Sequence, residues 1–205
     1  MDRETGIKKA DPGPTIREAG TIVGRRIIVK RGLEAGIILS LPTALVAQEN
    51  PASLRPTTGD ILVRADDPSL TPLGVEDIPL ASAQVLAWAM EPNDRIVRSG
   101  SRLNRLMLLR FDEARLSMAA KARAAAGVVA YTAICTHTGC DVSDWLSEEG
   151  MLYCPCHFSK YDPKNGATVI DGPAPRPLPA LPLTIADGKL VVAAPFTARV
   201  TFDPA

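Results

Sequence analysis

Apolar positions along the chain fall in short runs, at residues 60–64, 84–90, 103–111 and 128–134. Each run has the length of a strand. Turn signals separate them, at Asp66-Asp67-Pro68, Glu91-Pro92-Asn93-Asp94 and Ser99-Gly100-Ser101. Two later runs, 181–185 and 190–194, flank Asp187-Gly188, a dipeptide suited to a tight hairpin turn. Only residues 113–126 have the Ala-rich character of a helix, with Asp112 placed to cap it and Gly127 to end it. The pattern predicts an all-β, mainly antiparallel fold with one helix. It contains no internal repeat and no Gly-rich phosphate loop.

Composition narrows the class. With 205 residues the chain suits one domain plus an appendage, and 46% apolar residues are enough for a buried core. Lys and Arg total 23, as do Asp and Glu, so no nucleic-acid partner is expected. The zero net charge conceals a split. Residues 1–31 carry eight basic and four acidic groups, whereas residues 48–205 carry 15 basic and 18 acidic ones. Between them, residues 35–47 are uncharged and include Pro42. As a helix this segment would span about 20 Å, short of a bilayer core of about 30 Å.

Gly24-Arg25-Arg26-Ile27-Ile28-Val29-Lys30 resembles a twin-arginine signal, a route that carries folded proteins. Residues 1–47 are therefore expected to be an export signal, cut after Ala47, or a short anchor giving membrane association. Residues 48–58, polar and Pro-bearing, are expected to be a linker, and 59–205 the main domain. The expected location is the periplasm or the outer face of a bacterial inner membrane.

All four Cys and both His lie within 23 residues, in Cys135-Thr136-His137-Thr138-Gly139-Cys140 and Cys154-Pro155-Cys156-His157-Phe158-Ser159. Cys135-x-His137 and Cys154-x-x-His157 each place one thiol and one imidazole in a tight loop. Two such loops, facing each other, can clamp a metal centre. Zinc accepts two Cys and two His, although zinc-finger spacing separates a Cys pair from a His pair. A two-iron cluster whose irons need different ligands suits the mixed arrangement.

These motifs resemble those of Rieske iron–sulfur proteins, over about residues 128–194. The resemblance implies a β-sandwich with a small cluster-binding subdomain at about 130–178. It implies one 2Fe–2S cluster per chain, held by Cys135, His137, Cys154 and His157, and a disulfide between Cys140 and Cys156. It further implies that Ser159 donates a hydrogen bond to a bridging sulfide and Tyr161 one to a Cys ligand sulfur, and that Gly172-Pro173-Ala174-Pro175 forms a shielding loop. Such donors, with neutral His ligands, raise the reduction potential. Trp145, in the spacer, is expected to pack rather than relay electrons.

The Cys140/Cys156 pair, Tyr161 and the Gly-Pro-Ala-Pro loop resemble the iron–sulfur subunit of cytochrome bc complexes, the ubiquinol–cytochrome c reductases. That implies an electron-transfer subunit of an oxidoreductase complex, not a catalyst by itself. Its donor would be quinol at a cytochrome b and its acceptor a c-type cytochrome. Two positions depart from that pattern: Thr138 replaces the usual Leu, and Phe158 the usual Gly. Cys-Pro-Cys-His-Phe-Ser resembles the small subunit of arsenite oxidases, which implies a molybdenum subunit as donor instead.

Overall fold

The computed structural model describes residues 50–202; the expected export signal or anchor at 1–47 and the first two residues of the expected linker lie outside the described residues. Among the described residues no helix is long and apolar enough to cross a membrane.

Among the described residues ten strands form two antiparallel sheets. The first contains β1 (Ile61–Arg64), β2 (Val85–Met90), β3 (Leu106–Arg110), β4 (Val128–Thr132), β9 (Leu183–Ala186) and β10 (Lys189–Val192), in the order β4-β3-β2-β1-β10-β9. The second is inserted between β4 and β9. It contains β5 (Asp144–Leu146), β6 (Met151–Tyr153), β7 (Lys160–Asp162) and β8 (Thr168–Asp171), in sequential order. The Asp187-Gly188 turn joins β9 to β10, pairing Lys189 with Ala186 and Leu190 with Ile185.

Strands β3 and β4 are buried on both faces, which explains their unbroken apolar sequence. On one face Leu106, Leu108, Val128 and Ala130 join Leu62, Ile78, Ala87, Leu181 and Leu190. On the other, Met107, Leu109, Val129 and Tyr131 pack with Leu152, Tyr161 and Leu178 of the inserted region. The inserted sheet thus rests on the first through a shared core. The Tyr131 hydroxyl donates to the Pro163 carbonyl at 2.7 Å and ties the β7–β8 connection to β4. Trp145 packs towards Phe111, with ring centroids 6.4 Å apart, as expected for a spacer residue.

The helix expected over 113–126 is much shorter. Asp112 does cap a turn, but a 3-10 turn of three residues, Glu113–Arg115. The chain then extends at Leu116, whose side chain is buried, and the Ser117 N–H donates to the Lys164 carbonyl. Ser117 caps a new start, α1 (Met118–Lys121), and its hydroxyl accepts from the Ala120 N–H at 3.2 Å. Beyond α1, Ala125 bridges to Val128 across a turn. Alanine's helix propensity, worth a few tenths of a kcal/mol per residue, loses here to tertiary hydrogen bonds.

Residues 51–58, in the stretch expected to link, lie against the first sheet. Arg98 and Asp60 form a buried two-point ion pair, at 3.1 Å (Nε to Oδ2) and 3.2 Å (Nη2 to Oδ1). Arg98 also donates to the Pro51 carbonyl. Fully buried Asn104 donates to the Leu54 and Arg98 carbonyls and accepts from Arg55. Removing one partner of a buried pair leaves the other charge uncompensated. Asp60→Ala is therefore expected to destabilise by about 3–5 kcal/mol, read by denaturant melts, and Asp60→Leu with Arg98→Met together by much less. Equal losses in both variants would show that the pair is not electrostatically isolated.

Candidate metal centre

Two loops of the same backbone design meet at the tip of the inserted region. In the first, the Cys135 N–H donates to the Cys140 carbonyl (2.8 Å) and the Gly139 N–H to the Cys135 carbonyl (3.1 Å). In the second, the Cys154 N–H donates to the Ser159 carbonyl (2.9 Å) and the Phe158 N–H to the Cys154 carbonyl (3.0 Å). Each loop therefore closes on its leading Cys, with the fifth residue in the left-handed region: Gly139 at φ +81° and Phe158 at φ +66°. Glycine takes that conformation freely, whereas a bulky residue is strained by roughly 1 kcal/mol. Phe158 adopts it nonetheless; the residue is 64% exposed and its ring is stacked on Tyr153.

The loops are tied together on three sides. Cys140 and Cys156 form a disulfide with Cα atoms 6.5 Å apart. A third loop, Gly172–Pro175, lies against the second: a Cβ on Gly172 would come within 2.5 Å of the Ser159 Cα. There the Ala174 N–H donates to Ser159 Oγ at 3.2 Å. The Thr136 hydroxyl donates to the Arg176 carbonyl at 2.7 Å and joins the first loop to the third. On the far side of the first loop, the Phe202 ring seats against Gly139, where a side chain would collide with it.

The donor atoms sort by type. Cys135 and Cys154 are free, buried thiols beside each other. A hydrogen bond from Cys154, together with the Tyr161 hydroxyl, lowers Cys135 below the ordinary thiol range, and the same pairing pushes Cys154 up. Tyr161, fully buried, places its hydroxyl 3.1 Å from Cys135 Sγ, and burial raises its own pKa. The His137 and His157 rings meet edge to face with centroids 4.6 Å apart. His137 Nδ1 is buried without a hydrogen-bond partner, whereas His157 is exposed. Among the described residues no three His, Cys, Asp or Glu side chains converge on a single ion position. A thiol pair beside an imidazole pair fits a centre with two metals, each taking two protein ligands, better than one tetrahedral ion. The Ser159 hydroxyl accepts from Ala174, so its own proton remains free for a sulfur acceptor.

Residues 106–182 match the family described as the Rieske [2Fe-2S] domain. The chain carries a Rieske domain. Its cofactor is a [2Fe-2S] cluster, and the residues just described fit it. Relatives of this chain include a protein named as a candidate Rieske subunit of respiratory nitrate reductase from Haloferax mediterranei, 38% identical over 62% of this chain and 55% of its own length. The Rieske iron–sulfur subunit of the cytochrome bc1 complex of Streptomyces lividans is 46% identical over 30% of this chain and 36% of its own length. The iron–sulfur subunit of the cytochrome b6-f complex of Chlorobaculum tepidum is 45% identical over 32% of this chain and 34% of its own length. The chain thus spans about half the length of the first relative and about a third of the other two.

Every residue singled out in the two Cys/His motifs and the Gly-Pro-Ala-Pro segment lies at this tip or, like Tyr161, directly beneath it. The sequence gives no sign of Thr136 and Phe202 as parts of the Rieske loop framework. Thr136 reads as a filler between two donors, and Phe202 is more than 40 residues from both motifs; only contact reveals them. The two cysteines of the disulfide are 16 residues apart, and for a loop of that size the chain-entropy relation gives about 3 kcal/mol. Cys140→Ser with Cys156→Ser is expected to lower stability by about that amount in denaturant titrations, and an unchanged midpoint would show that the fold does not lean on it.

Proposed function

We propose that Cys135 and Cys154 hold one iron and His137 and His157 the other, and that the domain is a high-potential electron carrier exported to the periplasmic side of a bacterial membrane. The observation that carries this reading is the unequal setting of the two imidazoles. His137 is partly covered, with a buried unpartnered nitrogen, while His157 stands at the surface of the tip. His157 therefore presents a ring edge to a donor or acceptor. When bound, the cluster exchanges one electron.

The chain's own residues set how readily that happens. The Tyr161 hydroxyl beside Cys135 and the free Ser159 proton stabilise added negative charge on sulfur, and the disulfide with the third loop keeps the surroundings from rearranging. The imidazole of His157 can offer an N–H to a hydroquinone oxygen. On this reading electrons come from quinol at a cytochrome b and leave to a c-type cytochrome. The disulfide, Tyr161 and the names of the Streptomyces and Chlorobaculum relatives support it.

A second reading has support of its own. Exposed Phe158 alters the tip where the bc-type pattern has Gly, and the Haloferax relative is named for a nitrate reductase. In that reading the donor is a subunit of another oxidoreductase, such as a molybdenum enzyme. Purification of the native complex in mild detergent separates the two: haem b in the preparation supports the first, molybdenum the second.

Redox titration followed by electron spin resonance is expected to give a midpoint in the upper part of the range of about −150 to +300 mV. Tyr161→Phe should lower it while the spin signal persists. His157→Cys and His137→Cys should lower it far more or abolish the signal. A midpoint indifferent to both His substitutions would overturn the ligand assignment.

A further inference from the structure

One flank of the metal centre is lined by arginines that outnumber their carboxylates. Arg102 and Arg105 share a single partner, Asp141, which directly follows Cys140, at 3.5 and 3.6 Å. Arg102 also lies over the Phe202 ring, 5.9 Å from its centroid. Arg176 donates to the Thr201 carbonyl, so it too sits beside this strand of chain. Two residues earlier, exposed Arg199 lines a concavity of about 220 Å³ together with Arg55, Pro56, Pro195, Phe196 and Val200. Arg55 in turn bonds to Asn104, which is adjacent to Arg105. The contacts therefore place five arginines along the segments that run from the first loop to the Arg55/Arg199 concavity.

Their charge is poorly compensated. Among the described residues no carboxylate lines the Arg55/Arg199 concavity and neither arginine forms an ion pair. Burial and the nearby Arg199 charge together lower Arg55 from its ordinary value. Arg55, Arg102 and Arg199 are exposed. Exposed guanidinium groups are suited to carboxylates, which they can grip at two points.

The geometry points to this arginine surface as the docking face for a protein partner that presents a cluster of carboxylates, with the Arg55/Arg199 concavity as its outer anchor and Asp141 marking its edge at the metal centre. The inference rests on the electron-carrier reading, because it makes docking here the step that brings a redox partner to the tip. Charge complementarity of this kind acts mainly on the rate of encounter and is strongly weakened by salt.

Two measurements on the cluster-loaded full chain test it. Binding of a fluorescent hexa-aspartate peptide, read by anisotropy, involves no electron transfer. Stopped-flow oxidation of the reduced protein by hexacyanoferrate(III) moves one electron from the reduced iron to the ferric complex, with no bond made or broken. Both are expected to weaken steeply from low salt to 0.5 M salt, and Arg102→Glu with Arg199→Glu should reduce both by about tenfold at low salt. Oxidation by cationic cobalt(III) tris-phenanthroline should show the opposite salt slope. Should the Glu variants fail to fold, Arg102→Gln with Arg199→Gln should give a smaller loss of the same sign. Preference for hexa-lysine, indifference to salt, or binding to phosphatidylglycerol vesicles without binding to the peptide would each overturn the proposal. Loss of the spin signal in the unmutated protein would instead sink the electron-carrier reading, and the peptide measurement would still report on the surface.

Discussion

The site depends on one constraint: two short loops must each close on their leading cysteine while facing each other. The paired N–H to carbonyl bonds within each loop fix where Cys135 and Cys154 point, and those bonds need a left-handed residue at the fifth position. The other restraints act on loops already shaped in this way. The disulfide holds them at a set distance, Thr136 and Ser159 bind both to the third loop, and Gly172 permits that third loop to approach. A polar cage of this kind tolerates little movement, because most of its donors and acceptors are buried and already committed.

Beneath the cage, the doubly buried strands β3 and β4 act as a floor. Tyr161 spans the two levels: its ring belongs to the core shared by the sheets, and its hydroxyl reaches Cys135. A core residue thereby becomes part of the electrostatics of the site. The same coupling runs outward through the ion pair of Asp60 and Arg98, which pins residues 51–60 beside the segment that carries Arg102 and Arg105.

Much of this was legible in the sequence, because local chemistry dictated it. The Cys/His spacing and the unbroken apolar runs of β3 and β4 each have a short-range cause, and the turn at Asp187-Gly188 sets its own hairpin. The 113–126 stretch falls short of a helix because alanine content reports propensity alone, whereas Leu116, Ser117 and Lys164 fix the chain there through tertiary contacts. The six-stranded order was also hidden, since β1 pairs with β10 across more than 120 residues. Phe202 and the arginine surface escaped for the same reason: their meaning lies in which loop they touch.

Phe158 carries a consequence for the shape of the tip. A backbone that glycine would occupy at ease holds instead an aromatic ring, largely in water and resting on Tyr153. The second loop thereby presents a rigid apolar plate beside exposed His157, where the first loop, with Gly139 at the same step, presents none.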